Sequence, residues 1–132
     1  MDKFQKLSAN NMWLVVLFCL KVGGGMDFIV NNHIWRLQFV KGGSENLRRS
    51  DGSYTFGVTD NSVKTVFLMQ NMSDYMTDKV LCHELCHVHA FEYDYYMPID
   101  VEEIVADFMS LYGRKVVYLT DEIMGKILRR IA

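Results

Sequence analysis

In the stretch His83-Glu84-Leu85-Cys86-His87, two imidazoles stand four positions apart, with a carboxylate next to the first. On a helix, residues four apart share a face. His83 and His87 can therefore turn both rings toward one metal ion. Glu84 lies one position further round, beside such an ion. This spacing suits a zinc ion that activates water, with Glu84 as general base. The reading needs two further things: a helix under the motif and a third ligand.

Both can be read downstream and upstream of the motif. Ser73 or Asp74 is placed to cap a helix that carries His83 and His87. Met76 and Val80 extend the histidine side of it, and Leu81, Leu85 and Val88 form another apolar side. Order should fail around residues 92–96, and Pro98 bounds the loop. Asp100 is then expected to cap a second helix over residues 101–112, with Gly113 ending it. Glu103 has capping-box spacing from Asp100. It also pairs at i,i+4 with Asp107, on a face that adjoins Ile104 and Phe108. A carboxylate on the inner side of a helix needs a partner or a cation. Two histidines and a glutamate, with a fourth position open, form a recurrent catalytic zinc set. Asp107 would accept the other ring N–H of a ligand histidine and fix its tautomer. Glu102 is a rival ligand, but it points about 100° away, and Ala106, four residues on, could not support a histidine. Glu103 is preferred. His89, Tyr93, Tyr95 and Tyr96 follow the motif and are candidate donors to the transition-state oxyanion.

His-Glu-Leu-x-His followed by Glu-x-x-Ala-Asp-Phe resembles the ImmA/IrrE-type metallopeptidases, a gluzincin group. The resemblance covers roughly residues 54–113. It implies that His83, His87 and Glu103 hold zinc and that Glu84 is the catalytic base. Asp107 stands where that group usually has asparagine. A small sheet ahead of the helix resembles short zincins of phages and mobile elements, whose substrate would be a peptide or a protein, such as a regulator.

The sheet is written in runs of alternating residues. Residues 28–30 and 34–40 flank Asn31-Asn32-His33, where asparagine suits a tight turn. Trp35, Leu37 and Phe39 share one face of the second run. His33 reads as an exposed turn residue. Residues 41–52, with Arg48-Arg49, read as a solvated loop. Residues 54–58 place Tyr54, Phe56 and Val58 on one face. Residues 59–62 read as a turn and 65–69 as the returning strand of a hairpin. A strand just before the helix, if it is a sheet edge beside the cleft, could hold an extended peptide. After Gly113, residues 114–119 read as a short strand or a continuation. Thr120 is expected to cap a last helix whose Ile123, Ile127 and Ile131 stripe packs on the core or meets a second copy.

Composition sets the outer limits. The chain has 132 residues, half of them apolar and 23 % charged, enough for one ordinary globular domain. A net charge of -2 without a long basic run argues against a nucleic-acid partner. The cysteines Cys19, Cys82 and Cys86 are odd in number and form no disulfide framework, which fits a cytoplasmic setting. Cys82 and Cys86 read as buried structural thiols. Residues 12–20 form an apolar run too short to span a bilayer, which argues against membrane contact, although its proportions are those of a signal segment. Residues 1–25 are set apart as an N-terminal extension, and residues 26–132 as a single domain.

The expectation is an α+β protein with a small zincin-like fold. A short mixed or antiparallel sheet packs on the His-Glu-x-x-His helix and on a second, ligand-bearing helix. Its expected activity is zinc-dependent peptide hydrolysis. A zinc-stabilised structural or interaction protein without turnover is the alternative, and an accidental motif in a metal-free domain is a third reading. Composition says nothing of oligomeric state.

Overall fold

Asn31 and Asn32 both adopt left-handed backbone, with φ of 49° and 64°. A two-residue turn of that kind matches the right-handed twist of antiparallel strands. It joins β1 (Gly25–Val30) to β2 (His33–Val40), in a register that pairs Val30 with His33. A computed structural model describes residues 24–131 of the chain. The apolar run at residues 12–20, and all of the proposed extension but its last two glycines, lies outside the described residues.

A second hairpin joins β3 (Gly57–Asp60) to β4 (Thr65–Met69). β4 also pairs in parallel with β2, so the sheet is mixed, with order β1-β2-β4-β3. Trp35 and Leu37 from β2 and Val66 and Leu68 from β4 meet Val30 and Val88 in the core. The 3-10 turn Glu45–Leu47 lies against β4 and buries Leu47 completely. Thr65 through Leu68 are all buried, as befits an internal strand covered on both faces. β4 is therefore not the sheet edge that a strand just before the helix was expected to supply. Its hairpin partner β3 is.

β3 begins later than the alternation suggests. Tyr54 and Phe56 are about half exposed and lie before the strand. Gly57 is where pairing begins because β3 there passes close under the next helix. A Cβ on Gly57 would lie 2.7 Å from Val80 Cγ1 and 3.0 Å from Glu84 Cγ. Thr59 and Asp60, read as turn, belong to the strand.

That helix is α1 (Asp74–Glu92). Ser73 caps it, its side chain accepting from the Met76 backbone N–H at 3.2 Å. The far end is fastened by a buried carboxylate. Glu92 accepts from Trp35 Nε1 at 2.7 Å, from Lys64 Nζ at 3.1 Å and from His33 Nδ1, while Asn31 Nδ2 donates to the Glu92 carbonyl at 2.9 Å. His33 is thus exposed, as its sequence position implies, yet it latches the first hairpin to α1. The His33 hydrogen bond, with those of Trp35 and Lys64, holds the Glu92 carboxyl down at about 2.

Helix α2 (Ile99–Phe108) follows Pro98, which stands at the N-cap position. No side chain caps it, so the Asp100–Glu103 box is not formed. Gly113 does not end the run. Residues Met109–Gly113 form a π-helical turn that leads directly into α3 (Arg114–Ile131). Gly113 is buried, and a Cβ there would meet Met109 Cε at 2.8 Å, so its smallness serves close packing rather than a left-handed stop. Thr120 sits inside α3 with its hydroxyl on the Val116 carbonyl at 2.7 Å, not at a cap. Arg114 Nη2 ties the start of α3 to α1 through Asp78 Oδ1 at 2.6 Å. Beyond that tie α3 does not pack on the core: Ile123 is 46 % and Ile127 is 41 % exposed. No helix among the described residues is long and apolar enough to cross a membrane.

The fold is α+β, with a small mixed sheet packed against α1 and with α2 beside it, a zincin-like arrangement.

Candidate metal centre

The 3.6-residue turn of α1 puts His83 and His87 on one side, and α2 brings its first turns across from them. His83 Nε2 and His87 Nε2 are 3.2 Å apart. Glu103 reaches both: Oε2 is 3.0 Å from His83 Nε2 and Oε1 is 3.1 Å from His87 Nε2. One ligand atom from each residue lies within 4.8 Å of the others. Two nitrogens bound at about 2.05 Å to a tetrahedral zinc stand about 3.3 Å apart. The two histidine nitrogens stand at about that separation, and Glu103 brings a carboxylate oxygen to each of them, so the donor set suits zinc in its chemistry. An accidental motif does not account for this convergence.

The opposite ring nitrogens are each engaged by a carboxylate. His83 Nδ1 lies 2.8 Å from Asp107 Oδ1, the partner expected from the sequence. His87 Nδ1 lies 2.8 Å from Glu102 Oε2. Glu102, weighed earlier as a rival ligand, thus serves the second histidine. Its side chain is 12 % exposed and that of His87 is 9 %. With His87 Nδ1–H donating to Glu102, Nε2 of that ring is left with a lone pair for a ligand.

Glu84 is buried and contributes no ligand atom to the cluster. Thr59 Oγ1, on the edge strand β3, donates to Glu84 Oε2 at 2.6 Å and lies 3.1 Å from the Glu84 carbonyl. Burial pushes the Glu84 carboxyl above the usual carboxylate range, against the opposing pull of Thr59 and of the two histidines. Nothing in the sequence marked Thr59, because its position read as turn. An open cleft of about 530 Å3 runs past these groups, with β3 residues Gly57, Val58 and Thr59 along one wall and Phe91 and Ile99 among its apolar lining.

The four candidate oxyanion donors are placed elsewhere. His89, Tyr93, Tyr95 and Tyr96 line a separate apolar groove of about 880 Å3 on another side of α1. His89 is two residues beyond His87, hence about 200° round the helix, and its Nδ1 lies 2.6 Å from the Leu85 carbonyl. Cys82 and Cys86 line that same groove and are half-buried rather than enclosed. Burial, then the neighbouring Cys82, pushes the Cys86 thiol up to about 11.

The site is therefore zincin-like by construction: a His-Glu-x-x-His helix, a glutamate from the next helix, and a carboxylate behind each histidine. No protein-family model, no curated protein and no solved structure matches this chain.

Proposed function

We propose that this protein is a zinc-dependent peptidase in which His83, His87 and Glu103 hold the ion and Glu84 is the general base. The observation that carries the reading is Glu84 itself, a buried carboxylate beside the ligand cluster, outside the ligand set, and open to a cleft. A structural zinc site has no use for such a group. When bound, zinc supplies Lewis acidity toward a water molecule and a substrate carbonyl. Thr59 fixes Glu84 Oε2, which leaves Oε1 to take the proton of the attacking water. As the carbonyl carbon gains the water oxygen and loses its bond to nitrogen, Glu84 returns that proton to the departing amine. The raised Glu84 carboxyl is matched to both halves of the transfer. The edge strand β3 offers unpaired backbone groups to an extended chain.

The resemblance to the ImmA/IrrE-type group supports the same assignment and favours a protein substrate such as a regulator. The deciding experiment loads the full chain with zinc and incubates it with a peptide mixture read by mass spectrometry. Cleavage by wild type and none by a Glu84→Gln protein with equal zinc content upholds the proposal. Undiminished cleavage by that variant removes Glu84 as base. One zinc per chain with no cleavage in either leaves the zinc-stabilised structural protein.

A further inference from the structure

The acidic centre has a cationic neighbour that the reaction scheme does not use. Next to His83 and Glu84, at the Gly57 end of β3, lies a pocket of about 230 Å3 lined by Arg49 and Lys79, with Asp107 on its wall turned to His83 Nδ1. The two come from separate elements. Arg49 follows the 3-10 turn, while Lys79 is on α1, four residues before His83 and on the same helical side. Arg49 Nη2 donates to Thr55 Oγ1 at 3.2 Å, and among the described residues no carboxylate oxygen comes within 4.0 Å of its guanidinium. Asp51, the nearby acid, is turned onto the backbone and hydroxyl of Ser53 at 2.8 and 2.5 Å. Lys79 Nζ is 3.8 Å from Asp78 Oδ2, beyond hydrogen-bond reach, and Asp78 is already held by Arg114.

The remaining charges give this pocket its meaning. Glu84, Glu102, Glu103 and Asp107 surround the histidines, so a divalent ion leaves the centre with an excess of negative charge. A substrate carboxylate is repelled there unless a cation receives it. Arg49 and Lys79 are positioned to do so, since they line one pocket with His83 and Glu84. Guanidinium is suited to bidentate binding of a carboxylate. At the other end the cleft meets Phe91 and Ile99.

Resting on the peptidase reading above, we propose that Arg49 and Lys79 form a carboxylate-binding subsite. The enzyme then prefers chains with an acidic group next to the cleaved bond and an apolar residue on the other side. The acidic group can be an Asp or Glu side chain or a chain-terminal carboxylate.

The test uses the zinc-loaded full chain and a random peptide library in two forms, C-terminally amidated and free acid, with cut sites sequenced by mass spectrometry. Asp and Glu should be enriched about tenfold at one position beside the cut. Arg49→Ala and Lys79→Ala should each reduce that enrichment at unchanged zinc content, and Arg49→Glu should turn it toward Lys and Arg. Enrichment confined to the last residue of free-acid peptides supports the subsite with the terminal carboxylate as its ligand. Cleavage without acidic preference, or a preference that Arg49→Glu leaves intact, overturns it. A second measurement separates this from failure of the peptidase reading: retention of the same libraries on immobilised, zinc-loaded Glu84→Gln protein. Acidic retention lost on adding Arg49→Glu upholds the subsite even where wild type cuts nothing. Absence of acidic retention overturns the subsite.

Discussion

Each ligand histidine has its own carboxylate, and the two are not equally exposed. Glu102 is enclosed with His87, whereas Asp107 is 70 % exposed beside His83. Removing a carboxylate behind a metal-bound histidine typically weakens affinity 10- to 100-fold. Glu102→Ala should lie at the upper end of that range and Asp107→Ala at the lower, measured by competition with a chromophoric chelator. Glu102→Gln should recover part of the loss, because an amide oxygen still accepts from Nδ1–H. The convergence of His83, His87, Glu103 and Asp107 was legible because spacing along a helix fixes which side chains share a face. The role of Glu102 was not. Facing apart from Glu103 disqualified it as a ligand, but the same 100° offset carries it behind His87, and that depends on how α2 crosses α1. At Cys86 the raised thiol predicts sluggish chemistry. About 100-fold less thiolate at pH 8, partly offset by higher intrinsic nucleophilicity, gives alkylation about tenfold slower than an ordinary thiol. Timed iodoacetamide labelling with peptide mapping measures this.

Strand β3 and the end of α1 show what elements add. Gly57 lies on the face opposite Tyr54, Phe56 and Val58, and the strand begins at it because only a residue without Cβ fits against Val80 and Glu84. Periodicity alone cannot see an approach made by another element. Gly57→Ala should push β3 from α1 at a cost of about 1–3 kcal/mol by urea unfolding. It should also lower turnover more than zinc affinity, since Thr59 loses its hold on Glu84. The latch at Glu92 predicts a pH dependence of stability. Its carboxyl is held at about 2 instead of the ordinary 4.5, so the folded form binds that proton less readily than the unfolded chain. The stabilisation is complete above the ordinary value and fades as pH falls from about 4.5 toward 2. Urea midpoints of wild type should drop over that window more steeply than those of Glu92→Gln, which should already be less stable at pH 7. Equal slopes would remove Glu92 as the source.

At the scale of the molecule, the histidines belong to α1 and Glu102, Glu103 and Asp107 to α2, so an ion held by the cluster would bridge two helices, only the first of which packs on the sheet. Zinc at about 1000 times its Kd should add about 4 kcal/mol to stability. Chelation should expose residues beyond Glu92 to proteolysis before those of the sheet. The two hairpins and the two helices that carry the cluster follow from patterns in the chain, while the parallel pairing of β2 with β4 does not. The course of α3 does not: its amphipathic stripe reads as a face turned to the core or to a second copy, and the π-helical turn carries it away from the core.

That uninterrupted run of helix has a mechanical consequence. Glu103 sits near one end of a rod whose last 18 residues reach about 27 Å past the π-helical turn. Tilting the rod by about 5° sweeps its tip through about 2 Å. A small change of angle where Glu103 is seated therefore becomes a larger displacement at the tip.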